Sequence, residues 1–363
     1  MQSPACPPQL EPRPLASGLR AARMLALGLL LGLLLLVAAC GRSTADRIGQ
    51  VRGLIERQDR VAAMVAVKAL LQDKPNLGEA RLLMGQLLLD RGEAAGAETE
   101  LRRALELREP EAVVLPLLAR ALLLGNQAAK LVAQYGRTSL ADRLATAQLK
   151  TTVAEAEATL GQLDAARDSV ALALRAVPDH VPALLLQVRL TAVAGDVPGA
   201  IAEVNALLAS HPRSADGWVL QGDLLARQGA QPAALIQAYQ QALAVQADHA
   251  AAHAALITLH LTLRDLDAAR RQHEAMRKLL PRHPRTLLFE GQMALIQGDL
   301  ARARELFQLL LRSMPDNLVL LQSAGVAELR LNAPGQAEQL LSRAVQLAPN
   351  SPNARRLAAQ AYL

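Results

Sequence analysis

Small apolar residues recur along this chain at a fixed step. Ala269, Ala303 and Ala337 are 34 residues apart, as are Pro281, Pro315 and Pro349, and as are Gly291 and Gly325. Toward the N-terminus, Ala234, Ala200 and Ala166 continue the ladder, with one extra residue between Ala234 and Ala269. Gly161, Gly195 and Gly229 keep the same step, and so do Pro178 and Pro212. Between these landmarks the apolar residues follow helical spacing, as in Leu82, Leu83, Leu87 and Leu88. A constant period of this length predicts a series of helix–turn–helix units, each burying its apolar face against the next.

Each landmark has a physical role in such a unit. Gly195, Gly229 and Gly298 are expected to end the first helix in a left-handed conformation that satisfies its last carbonyls. The ladder alanine lies where the two helices cross, and a larger side chain there would push them apart. The proline stops the second helix. Asp179, Asp316 and Asn350, each following a proline, are placed to cap the next helix. Trp218, four residues before Gly222, and Phe307, four after Ala303, fall where the tetratricopeptide repeat often has aromatic residues. The array therefore resembles tetratricopeptide repeats. That resemblance implies an all-α chain built as a right-handed α-solenoid.

The spacing divides the chain into two units over residues 44–111, an irregular helical pair over 112–146, and six units over 147–351. Residues 352–363 read as a terminal capping helix or the start of a further repeat. In the irregular pair Leu131 stands at the ladder place, and Pro116 falls near the start of a helix, where proline is tolerated. The tract Tyr135-Gly136-Arg137-Thr138-Ser139 signals a loop. This pair is either a packing irregularity or a place where a partner docks.

Composition narrows the possibilities. Aromatic residues are 2% and hydrophobic residues 52% of the 363, so the core is built from Leu, Ala and Val. Net charge is +6, of which +2 lies in the first 39 residues. So weak a charge, with few rings to stack on bases, argues against a nucleic-acid partner.

The N-terminal 39 residues read as an export signal. Arg20 and Arg23 precede the apolar run over residues 24–39, and small residues Val37, Ala38 and Ala39 lead to Cys40. This ending resembles the bacterial lipobox. The resemblance implies cleavage before Cys40, acylation of its thiol, and a short tether over residues 40–46. By resemblance to Gram-negative lipoproteins, Gly41 after the cysteine favours the outer membrane, with the array facing the periplasm. An uncleaved N-terminal anchor is the other reading, and it also exports the chain. The two cysteines, Cys6 and Cys40, leave no intramolecular pair after such cleavage.

No motif for catalysis, cofactor or metal emerges. There is no phosphate-cradling glycine loop and no G-x-S-x-G or H-E-x-x-H. His180, His249 and His283 each close a unit, His211 sits beside Pro212, and His253 and His260 take places where the repeat usually has Trp and Tyr. His249 and His253 could face one ion but lack a third ligand. Glu98, Glu100, Asp265 and Asp267 read as carboxylates on polar helix faces or turns, there for solvation and cross-helix pairing. The candidate site is instead a stripe, one residue per first helix: Arg52, Gln86, Glu155, Arg189, Asp223, Thr258 and Gln292, with Val326 last. It is either a solvated surface or the lining of a groove that holds an extended peptide or a partner helix.

One further resemblance is narrower. The tract Leu115-Pro116-Leu117-Leu118-Ala119-Arg120, between two ordinary units and Gly161-Gln162-Leu163-Asp164-Ala165-Ala166-Arg167, together with the lipobox, resembles the tetratricopeptide-repeat lipoproteins associated with PEP-CTERM/exosortase and exopolysaccharide systems. It implies a non-enzymatic envelope scaffold with protein partners. A pilotin or secretin-assembly lipoprotein, and an accessory subunit of polysaccharide synthesis or export, are the alternatives.

Overall fold

The computed structural model describes residues 43–361, in which nineteen α-helices follow one another. Among the described residues there is no strand, and no helix is long and apolar enough to cross a membrane. The chain divides into two compact units between Lys130 and Leu131. The fold is an all-α solenoid of helix pairs.

In the first unit, α1 (Thr44–Glu56) pairs with α2 (Arg60–Asp73), and α3 (Gly78–Asp90) with α4 (Ala94–Glu106). Then come α5 (Glu111–Leu124) and α6 (Ala128–Tyr135), the latter carrying the division. Ser43 and Asp46 form a reciprocal capping box, so α1 already begins inside the stretch read as a tether. Pro116 is not in a first turn. It is the sixth residue of α5, because the helix starts directly after Pro110. Glu98 of α4 receives hydrogen bonds from Arg102 at 2.8 Å and from Gln127 and Lys130 at 2.7 Å. Burial pushes this carboxyl up, but the three donors outweigh it and bring its pKa down to about 2.

The second unit opens with a loop and the 17-residue α7 (Arg143–Thr159), which starts four residues before the boundary set by alanine spacing. Asp142 caps it, accepting the Ala145 N–H at 2.6 Å. The pairs that follow are α8 (Leu163–Ala176) with α7, α9 (Val181–Val193) with α10 (Val197–Ser210), α11 (Ala215–Gln228) with α12 (Pro232–Val245), and α13 (Ala250–Thr262) with α14 (Leu266–Leu279). Next are α15 (Pro284–Gln297) with α16 (Leu300–Leu311), then α17 (Leu318–Arg330) with α18 (Pro334–Leu347), and lastly α19 (Pro352–Ala361). Leu357 and Ala361 of α19 pack on Ala337 and Leu341 of α18, while Arg355 and Gln360 are exposed polar residues of the last helix.

One turn recurs throughout. Each of the nine first helices that precede a second helix is followed by a residue of positive φ: Gln58, Gly92, Asn126, Gly161, Gly195, Gly229, Arg264, Gly298 or Asn332. The next N–H commonly reaches back across the helix end, as from Asp265 to the His260 carbonyl at 2.9 Å. Glycine takes this conformation freely, whereas Gln58 and Arg264 hold it at a cost of about 1 kcal/mol each. Asp59, Asp196, Asp265 and Asp299 follow directly and cap the second helix through their carboxylates. Asp265 is thus a cap rather than a merely solvated carboxylate.

Two readings of the pattern need correction. Asp179, Asp316 and Asn350 do not cap the next helix, because the turn after the proline is one residue longer. The caps are His180, Asn317 and, for α19, Ser351, whose Oγ accepts the Ala354 N–H. Second, the extra residue lies in the turn over residues 229–231, ahead of α12 and not after Ala234. Leu235 therefore takes the buried ladder place while Ala234 is half-buried.

Where the helices of a pair cross most closely, volume is traded between them. An added β-carbon on Gly85 would lie 2.6 Å from Leu101, and one on Gly222, Gly291 or Gly325 would lie 2.5 Å from Tyr239, Phe307 or Leu341. At the same place Val188 and Val204 are both buried in one cluster, and Ile257 and His273 are both buried as well. In the four glycine pairs the large side chain lies opposite a residue that has none.

Candidate binding groove

In the second unit, α13, α15, α17 and α19 lie side by side and line an open groove of about 910 Å3. Its floor and apolar rim come from Leu261, Leu288, Phe289, Ile296, Val326 and Leu357. Ile296 and Val319 are 47% and 51% exposed, so a substantial apolar surface faces solvent. Side-chain amides bridge successive first helices: Gln292 Nε2 donates to Ser323 Oγ and Asn353 Nδ2 to Gln322 Oε1, both at 3.2 Å. The charged lining residues are Arg285 and Arg356, without a carboxylate among the described lining. The surface suits an apolar segment whose charges are negative.

Local sequence places these groups. Pro284 starts α15 and puts Arg285 in its first turn, next to the cap His283, whose Nδ1 accepts the Arg285 N–H at 3.1 Å. Burial, aided by the Arg285 charge, holds the His283 ring below its ordinary pKa. Asn317 lines the groove and accepts the Leu320 N–H at 3.0 Å, capping α17.

Of the stripe residues, Thr258, Gln292 and Val326 meet in this groove. Arg52 is ion-paired to Glu79, and Gln86 is half-buried on α3. Glu155 is half-buried on α7 and Arg189 is exposed on α9. Asp223 accepts the Tyr239 hydroxyl at 2.9 Å. Burial raises the Asp223 pKa against the opposing pull of Tyr239 and Arg189, and burial together with the Asp223 charge raises that of Tyr239. Val37, Ala38, Ala39 and Cys40 lie outside the described residues.

The stripe missed the groove's other contributors: Arg285, Leu288, Asn317, Gln322, Asn353 and Arg356. The signal was present. Leu288 and Gln322 lie one helical turn before Gln292 and Val326, and Arg285 lies two turns before Gln292.

Four histidines, His249, His253, His273 and His283, have individual structural partners. His249 Nδ1 accepts the Ala252 N–H at 3.2 Å while its Nε2 meets Asp216 at 3.1 Å. His253 Nε2 meets the Ala247 carbonyl at 2.9 Å, as Trp218 Nε1 donates to the Pro212 carbonyl at 2.9 Å and Arg81 Nε to that of Pro75. All three sit at one place in the repeat, and each ties a first helix to the turn before it.

The pairing of helices, the left-handed turn and the buried ladder recur at one period. Tetratricopeptide-repeat family models match residues 185–252, 254–317 and 294–361. Residues 185–361 are built of tetratricopeptide repeats. A search of curated protein sequences gives no match. Among solved structures, a chain of the APC/C hetero-tetramer Cut9–Hcn1 is similar over 83% of this chain, at 15% identity and a TM-score of 0.54. This chain spans 59% of the length of that one. PilF of Pseudomonas aeruginosa is similar over 60% of this chain and 99% of its own length, at 16% identity and a TM-score of 0.47. Similarity at this level is one of fold.

Proposed function

We propose that this protein is a non-enzymatic scaffold of the bacterial envelope, anchored through acylated Cys40 to the outer membrane and facing the periplasm, whose groove over residues 250–361 holds a segment of a protein partner. The observation that carries the binding role is the groove itself. Three first helices, α13, α15 and α17, present apolar side chains along one surface, with Arg285 and Arg356 and the amides of Gln292, Gln322 and Asn353 beside them. The envelope setting rests on the lipobox Val37-Ala38-Ala39-Cys40. An exopolysaccharide or PEP-CTERM protein-sorting system is supported by the tract over residues 115–120.

The test is photo-crosslinking in living cells from a probe at Gln292 or Leu288, followed by purification from solubilised envelope. Capture of polysaccharide-export or sorting proteins supports the full reading. Capture of a secretin replaces the proposed system with a pilotin-like role and keeps the scaffold. Capture from a probe on the outer face of α16, with none from the groove, overturns the groove as the binding surface.

A further inference from the structure

The repeat provides its own control for surface polarity. At the second and sixth residues of the second helices, α2 has Val61 and Val65, and these are 79% and 65% exposed. They are the two most exposed large apolar side chains among the described residues. The eight second helices that follow have Ala, Pro, Gly or polar residues at both places, as in Ala95 and Thr99, Asp164 and Asp168, or Ala301 and Glu305. Nothing in the helix calls for valine there. A β-branched residue lowers helix propensity by about 0.6 kcal/mol relative to alanine, and in water these two return no burial.

The place of α2 in the chain indicates what covers it. Ser43 caps α1 three residues after Cys40. Three peptide steps reach about 10 Å at full extension. The start of α1 is held beside the end of α2, since Arg47 Nη1 donates to Asp73 Oδ2 at 2.6 Å and Lys74 Nζ to Thr44 Oγ1. A helix is about 10 Å thick. The tether is therefore just long enough to pass α2 when α2 lies flat beneath α1 on the surface that holds the acyl chains. Lys68, exposed one turn beyond Val65 on the same face, adds a cation at headgroup level.

We infer that Val61, Val65 and Lys68 of α2 form a membrane-seating face, which lays the first helix pair on the phospholipid surface that anchors Cys40. This rests on the acylation reading. The acyl chains supply affinity, and the face fixes the orientation from which the array projects.

The experiment uses the processed, full-length protein in phospholipid vesicles. Acylation blocks Cys40 and cleavage removes Cys6, so an introduced cysteine is the single free thiol. An environment-sensitive fluorophore is attached at Val61→Cys, Val65→Cys or Thr99→Cys. Blue-shifted emission, with quenching by nitroxide lipids several-fold stronger at positions 61 and 65 than at 99, is the expected result. Equal, solvent-like signals at all three positions overturn the seating face while vesicle flotation keeps the anchor. A blue shift without lipid quenching also overturns it, and points to a covering protein. Failure of the unsubstituted chain to float with vesicles defeats the acylation reading and this inference with it.

Discussion

Phe307 fills the space that a side chain on Gly291 would need: a β-carbon there would stand 2.5 Å from the ring's Cε1. The two residues are 16 apart on α15 and α16, as are Gly325 and Leu341 on α17 and α18. Gly222 and Tyr239 are 17 apart because the turn between them has one more residue. Phe307 is almost wholly buried among Leu310, Leu320 and Ala324 and cannot swing away.

Gly291→Ala should therefore destabilise the chain. Alanine gains about 1 kcal/mol of helix propensity, but the overpacking costs about 1–3 kcal/mol and outweighs it. Gly49→Ala, in α1 with nothing within 4 Å of the new carbon, should instead raise Tm. Thermal unfolding of both variants checks the contrast, and a stabilised Gly291→Ala would sink the close crossing.

The register of α12 gives a second test. Leu235→Ala should cost about 2–4 kcal/mol, as for a leucine removed from a core, whereas Ala234→Ser should stay within about 1 kcal/mol. The opposite order in denaturant titration would restore Ala234 to the ladder.

Glu98 makes the first unit acid-sensitive. Its pKa in the folded chain is about 2 against an ordinary 4.5. The unfolded chain thus binds more protons between these values, and the stabilisation from Glu98 is complete above 4.5 and lost as pH falls toward 2. Glu98→Gln should cost about 1–2 kcal/mol at pH 7, with the gap to the unsubstituted chain closing across that window. A gap that is constant down to pH 2 would refute the assignment.

Three histidines act in a different window. Burial lowers the pKa of His180, His253 and His283 from the ordinary 6.5, so all three favour the neutral ring when folded. Their contribution is fully present above 6.5 and is lost as pH falls below it, because the unfolded chain takes up the protons first. His253→Gln with His283→Asn keeps polar groups at both places but removes the titration there. The double variant should show a flatter decline of Tm between pH 7 and 5, and an identical decline would assign the effect elsewhere.

By itself the sequence determined the repeat: helix pairs, a left-handed glycine at the turn, a small residue at the crossing and a proline stop. Each depends on one residue's own geometry, repeated at one period, and so is visible without neighbours. Tertiary structure decided the rest. A single added residue before α12 exchanged Ala234 for Leu235 in the core, because turning a helix by one residue rotates every side chain about 100°. Gln58 and Arg264 entered left-handed turns against their own preference, since the helices on either side fix the backbone there. Among the stripe residues, Thr258, Gln292 and Val326 converged in one groove while Asp223 became the partner of Tyr239. Which side chains converge depends on how successive helices pack, and that packing sums contacts too distant in sequence for any one repeat to encode.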